Sequence, residues 1–356
     1  MTRPVAVVGF AQSPAVRRDQ EHDEIELVAP VVTEALRKAG IARRDVGFVC
    51  SGSSDYLLGR PFSFVTALDA VGPWPPIAES HVEMDGAFAL HEAWVRLQCG
   101  DIDSALVYAF GKSSLGDLGD VLCQQLDPFL VAPLWPDPVS LAALQARALL
   151  DAGQYTERDF AEVAARSRRA AKDNPNAQVR GDFAPDALLE TAYSVAPLRR
   201  HDCPPITDGA AAIVLCAGDL AKRAAKRPAW ITGIDHRIEA QSLGVRDLTR
   251  SPSTALAGER AGVHAGPVDV AELYAPFSHQ ELILRDALRL EPGVTINPSG
   301  GALSAHALMV AGLVRIGEAA ERVMGGRAGR AVAHATSGPC LQQNLVCVLD
   351  AEGARA

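Results

Sequence analysis

The chain has 356 residues, 48% of them hydrophobic and 22% charged, and a formal net charge of −9. At about 100–200 residues per domain, such a length suits two or three domains or one large duplicated one. Basic residues form nothing longer than short pairs such as Arg17-Arg18 and Arg199-Arg200, which argues against nucleic-acid or anionic-membrane binding.

The 7 cysteines are scattered, with no Cys-x-x-Cys pair, and read as buried free thiols of a reducing compartment. The apolar run after the first residues is too short for a signal peptide. No 18-residue apolar stretch occurs, so the expected location is the cytoplasm and no membrane span is expected.

Residues 4–10 read as a buried strand and 24–39 as a helix, with Leu27, Val28, Val31, Val32, Ala35 and Leu36 on one face and Gly40 as the stop. A strand is expected at 46–50, a helix at 86–99 and a strand at 104–110. Residues 112–200 differ: a Pro-rich stretch from Asp127 to Pro138 leads into helices at 139–152 and 157–173, without alternating strands. Strand text returns at 210–216 and 229–234. A helix near 253–262, a strand at 268–273, helices at 279–290 and 303–322, and strands at 330–335 and 345–349 follow. The alternation favours a largely parallel sheet between helices. The passage from helix 86–99 into strand 104–110 is repeated by helix 303–322 into strand 330–335, which reads as a duplicated α/β unit.

Cys203-Pro-Pro-Ile-Thr-Asp-Gly-Ala-Ala-Ala-Ile-Val-Leu-Cys216 resembles the thiolase-superfamily segment in which an Asp-Gly-Ala turn enters a core strand. Asn297-Pro-Ser-Gly-Gly301 resembles the turn before that family's catalytic-His helix, and Glu272-Leu-Tyr-Ala-Pro-Phe-Ser278 sits where it has another active-site loop. VAVVGFAQSP matches its first strand and turn, so the resemblance runs from about residue 4 to about residue 350. The texts are most similar to sterol-carrier-protein-type thiolases and bacterial lipid-transfer proteins, some of which are steroid side-chain aldolases. The resemblance implies a duplicated five-layer α-β-α-β-α fold. Residues 1–111 and 201–227 would form one half, 112–200 a lid-like excursion and 228–356 the other half.

The departures carry the functional reading. A thiolase holds its thiolate at a helix N-terminus, where the dipole and backbone amides lower the thiol pKa. Aligned on Gly86, Glu83 stands in that place, and residues 81–90 contain no Cys, Ser or Thr. Tyr274 replaces the family's first active-site His, and His306 aligns with the second, without the usual Pro after it. Cys340 aligns with the second family cysteine, but Leu-Gln-Gln-Asn344 replaces the glycine run that follows. Tyr paired with His at these places resembles the aldolase branch and implies retro-aldol cleavage of a β-hydroxyacyl-CoA. Such a reaction needs a proton acceptor, enolate stabilisation and a proton donor, but no covalent nucleophile.

Each candidate has a plainer reading. Tyr274 taken singly is an aromatic of the kind that is buried for packing, and His306 lies in apolar text. Glu83 and Asp85 form a catalytic carboxylate pair or simply stabilise a helix N-terminus. Gly300 and Gly301 suit a turn. Asn297, Gly300, Gly301, Phe277, Ser278 and Asn344 are candidate substrate-binding residues, and Cys340 a further catalytic candidate. The remaining histidines lack metal-ligand spacing, so no metal is expected. No cofactor is expected beyond the coenzyme A of the substrate.

The alternatives are a non-catalytic scaffold subunit and a thiolase that uses Cys340. The resemblance also implies a homodimer and a small OB-fold, zinc-ribbon partner encoded separately.

Overall fold

The computed structural model describes residues 3–59 and 61–353. The outermost residues of the two end ranges, and Arg60, lie outside them. Apolar β-prone runs form one ten-stranded sheet, β10-β9-β11-β12-β8-β1-β7-β4-β2-β3. Its first half comprises β1 (Val5–Gln12), β2 (Phe48–Gly52), β3 (Glu79–Val82), β4 (Ser104–Lys112) and β7 (Asp208–Ala217). Its second half comprises β8 (Ala229–Ile238), β9 (Val270–Leu273), β10 (Thr295–Ile296), β11 (Arg330–Ser337) and β12 (Gln343–Asp350). A separate pair, β5 (Tyr193–Val195) and β6 (Leu198–Arg199), lies in the excursion, where no strands were expected.

The two halves share one topology. Each places its third strand at the outer edge, followed inward by its second, fourth, fifth and first. In each the three outer strands are parallel and the inner joins antiparallel. The halves meet where β1 pairs antiparallel with β8. The duplication read from the sequence is therefore present strand for strand.

Helices of nine or more residues are α1 (Glu24–Ala39), α2 (Gly86–Cys99), α3 (Pro138–Asp151), α4 (Glu157–Ala170), α5 (Pro252–Arg260), α6 (Ser278–Ala287) and α7 (Ala311–Met324). Three apolar clusters separate the layers. The central one gathers side chains from both half-sheets around α2 and α7; the other two lie beneath α1 and beneath α4, α5 and α6. The layering is thus α-β-α-β-α. β4 and β7 are buried along their whole length, which explains their unbroken apolar text.

The helix expected at 86–99 is present with those bounds, capped by Asp85. One other boundary differs in a way that matters for the site. The helix expected over 303–322 starts at Ala311, so His306 sits in the irregular segment before it rather than on its first turn. Apolar residues 302–311 mimic a helical stretch, but they are buried where they cross from the glycine turn to α7.

Candidate active site

Tyr274 follows β9 directly, and its backbone N–H donates to the His334 carbonyl of β11 at 3.2 Å. His306 reaches the same place from the other side, its backbone N–H donating to Thr207 Oγ1 at 3.0 Å. Tyr274 Oη and His306 Nε2 are 2.9 Å apart, and the residues are 3% and 7% exposed. Burial pushes the Tyr274 phenol well above its usual range, reinforced by the charge of Asp85 and opposed by that of Arg315. Burial, then the Arg315 charge, brings His306 down to about 4. Both groups are therefore neutral near pH 7, and the hydrogen bond can run as phenol O–H to imidazole nitrogen.

The pair lies on the wall of a cavity of about 390 Å³, within the usual size range of small-molecule sites. Asp85, Phe277 and Cys340 share that wall, and the rest is largely apolar, with Leu118, Leu122, Leu126 and Leu141 contributed by the excursion. The Pro-rich stretch supplies Pro136 and Pro138, while Pro204, Pro205, Pro276 and Pro339 stiffen other parts of the rim.

Asp85 caps two helices at once. Its Oδ1 accepts the Ala87 and Leu313 amides at 2.9 and 3.0 Å, and its Oδ2 accepts Gly312 N–H at 2.9 Å. Burial raises its pKa to about 6, although the three amide bonds and Arg315 oppose that shift. These bonds satisfy orphan amides at the starts of α2 and α7.

The other candidates divide. Glu83 is exposed, accepts the Asp55 N–H at 2.5 Å and is not on the cavity wall; the turn between β3 and α2 directs it to solvent. Cys340 is on the wall and 5% exposed. Its S–H donates to the Leu141 carbonyl at 3.4 Å, and burial raises it to about 11 against the opposing Arg246 charge. It is a thiol here, not a thiolate. Cys203, which sequence reasoning passed over as one more apolar cysteine, also lines the cavity, with a pKa near 12 from burial.

Asn297, Gly300, Gly301, Ser278 and Asn344 are not on the wall and act from behind it. Asn297 Oδ1 accepts the Leu273 N–H at 2.6 Å, and its Nδ2 donates to Glu281 at 2.9 Å. Gly300 and Gly301 adopt φ of 98° and 62°, which a glycine turn accommodates without strain. Ser278 Oγ donates to Asp202 at 2.6 Å. Asn344 Oδ1 meets His334 Nε2 at 3.0 Å, behind the strand that holds the Tyr274 backbone. Asn297 thus fixes the end of β9 just before Tyr274, while Ser278 and Asn344 spend their bonds on neighbours behind the site, as buried hydroxyls and amides must.

A support missed in the sequence is Arg315 on α7. Its Nη1 donates to Glu272 Oε2 at 2.8 Å and to Ser299 Oγ at 2.6 Å, and Ser299 N–H donates to Glu272 Oε1 at 3.0 Å. The ion pair braces β9 against the glycine turn. The sequence signal for it is an arginine, with Glu318 one turn on, within the mostly apolar buried face of a helix. Among the described residues no group of three or more His, Cys, Asp or Glu is placed to hold a metal.

No family model matches the chain. Its curated relatives include an acetyl-CoA acetyltransferase of Methanothermobacter thermautotrophicus, 26% identical over 94% of this chain and 95% of that one. Sterol carrier protein 2 of Gallus gallus is 25% identical over 97% of this chain and 70% of its own length. The 17-hydroxy-3-oxo-4-pregnene-20-carboxyl-CoA lyase of Mycobacterium tuberculosis is 26% identical, covering 80% and 78%. Among solved structures, the Ltp2-ChsH2(DUF35) aldolase superposes with a TM-score of 0.81 at 20% identity, covering 99% of both chains. Human mitochondrial 3-ketoacyl-CoA thiolase superposes with 0.76 at 16% identity, over 98% of both.

The chain has the thiolase fold. Over most of its length it is similar to thiolase-type proteins, which span acetyltransferases, sterol carrier protein 2 and a steroid-carboxyl-CoA lyase.

Proposed function

We propose that this protein is an acyl-CoA carbon–carbon lyase that cleaves a β-hydroxyacyl-CoA by a retro-aldol reaction, without a covalent acyl-enzyme. The observation that carries this reading is the 2.9 Å Tyr274–His306 bond on the wall of a largely apolar cavity. It is supported by the lack of Cys, Ser or Thr over residues 81–90, where a thiolase carries its nucleophile.

In this reading the neutral imidazole of His306 is the proton acceptor and the Tyr274 phenol relays to it. The substrate hydroxyl gives its proton to Tyr274 Oη as the phenol gives its own to His306 Nε2. The Cα–Cβ bond breaks, its electron pair passes into the thioester enolate, and the β-carbon becomes a ketone or aldehyde. The relay then runs backward and delivers the proton to Cα. A phenol with a raised pKa stays protonated at neutral pH and hands on a proton only as it receives one, and an imidazole pushed down to about 4 is neutral, open to accept that proton, and returns it readily. The route calls for no cofactor beyond the coenzyme A carried by the substrate.

The apolar wall suits a bulky hydrocarbon, and a relative named for a steroid-carboxyl-CoA substrate makes a steroid or similar lipid side chain the substrate class we favour. The solved aldolase pairs Ltp2 with ChsH2(DUF35), in keeping with a small OB-fold, zinc-ribbon partner for this chain too, alongside a homodimer. No described helix is long and apolar enough to cross a membrane; a cytoplasmic location is part of the proposal.

A second reading, acyl transfer through Cys340, is favoured by the position of that thiol on the cavity wall and by the acetyltransferase relatives. A third, a non-catalytic scaffold, predicts that Tyr274 and His306 are dispensable. Incubating the chain, alone and with its partner, with steroid β-hydroxyacyl-CoA esters separates the three. Cleavage to a shorter acyl-CoA and a ketone supports the lyase and intact substrate refutes it, whereas an acylated cysteine formed from the matching β-ketoacyl-CoA supports the transferase.

A further inference from the structure

A second cavity, of about 1010 Å³, shares no wall residue with the Tyr274–His306 site. Its wall includes Lys38 of α1, Arg166 of α4, Arg285 of α6, Arg322 of α7 and Arg327 just beyond α7. Most of the acidic side chains around it are already engaged. Lys38 pairs with Glu321 at 2.7 Å, Glu34 is held by Arg37 at 2.6 Å, and Glu318 accepts from Gln12 at 2.6 Å. Burial, then the charge of Glu272, raises Glu318 to about 7, so it is only partly ionised near neutrality. Arg166 is paired with Glu281.

Arg285, Arg322 and Arg327 have no ion pair among the described residues, and Asp173 is the one wall carboxylate left without a partner there. Arg322 Nε is also buried with no hydrogen-bond acceptor. Unmatched guanidinium groups from two stretches of chain, α6 and the end of α7, are unexpected in a protein of net charge −9, where free arginines usually find carboxylates.

We propose that this cavity binds a soluble ligand carrying two or more phosphate groups. The planar fork of each arginine matches phosphate oxygens in pairs. Three such forks exceed what one carboxylate or one phosphate can satisfy. The volume is that of a ligand pocket rather than a single-ion niche. Asn176 and Thr295, on the same wall, offer neutral polar groups for the remainder of such a ligand. The proposal is independent of the lyase reading, because it invokes no residue of that site.

The test is calorimetric titration of the full chain with inorganic pyrophosphate, with ADP and with adenosine. Binding of both phosphate ligands but not of adenosine is expected. Tighter binding of ADP marks a nucleotide site, and equal binding marks recognition of phosphates alone. Arg285→Gln with Arg327→Gln, both on partly or fully exposed side chains, should weaken affinity at least tenfold with the melting temperature of the unliganded protein unchanged. Tyr274→Phe should leave affinity as it is. No heat with either phosphate ligand, affinity no better than for sulfate, or equal affinity in the double variant would overturn the proposal.

Discussion

The Gly312 amide donates to Asp85 Oδ2 at 2.9 Å, so the carboxylate that caps one central helix also closes the other. The contact requires glycine. A Cβ at residue 312 would lie 2.4 Å from Asp85 Oδ1 and 2.7 Å from the Ala335 Cβ. Gly312→Ala is expected to cost on the order of 1–3 kcal/mol through forced displacement of a packed core, read as a lowered urea midpoint. Asp85→Asn should also destabilise, since one acceptor becomes an NH2 group facing an amide.

Tyr274→Phe removes the hydroxyl and keeps the ring. On the proposed relay it should lower kcat by roughly 100- to 10,000-fold with little change in thermal stability. His306→Gln should do the same. Equal stability with lost turnover separates chemistry from folding; full activity in both variants would favour the scaffold reading.

Cys340→Ala should keep most of the lyase activity, because a buried thiol raised to about 11 is a poor nucleophile at neutral pH. Glu83→Gln should be close to silent in both kinetics and stability, as the residue is exposed and off the cavity. Steady-state rates of the two variants beside wild type check this.

Buried histidines set the acid limit. Burial lowers His279, His306 and His334 to about 3, 4 and 4, against about 6.5 in an unfolded chain. Between those values the unfolded state binds more protons, so stability is whole above about pH 6.5 and is lost as pH falls toward 4. Asp85 and Glu318, raised by burial to about 6 and 7, act in the opposite sense over part of that window, but His91, lowered to about 4 by burial, joins the other three histidines, so two groups stand against four. The urea midpoint should therefore drop on acidification from pH 6.5 to 4, and His334→Gln should flatten the drop. A midpoint that rises over this range would contradict the balance.

Much of the fold was legible because the core strands are buried on both faces, and their runs, such as β4 and β7, stay apolar end to end. β3 was not: Glu79–Val82 is a short, partly exposed edge strand with polar residues. The late start of α7 was hidden for the opposite reason, since residues 302–311 are apolar because they cross the core rather than coil. At the site, Tyr274 and His306 were found through the motifs around them, and the fold brings them within a hydrogen bond across 32 residues of sequence. Asp85 was seen as a helix-terminus carboxylate, but its second helix could not be, because 227 residues separate it from Gly312. The supporting loops were taken for binding residues, since spacing alone does not tell an amide that faces a cavity from one that braces the loop behind it. Asn297 and Asn344 are of the second kind.

The most direct test of the central claim is mass spectrometry of a single quenched reaction between the protein and a steroid β-hydroxyacyl-CoA, measuring small molecules and intact protein together. The account predicts a shortened acyl-CoA, an equimolar ketone and protein of unchanged mass. An acyl adduct on Cys340, or on any other side chain, formed at the rate of turnover would contradict it.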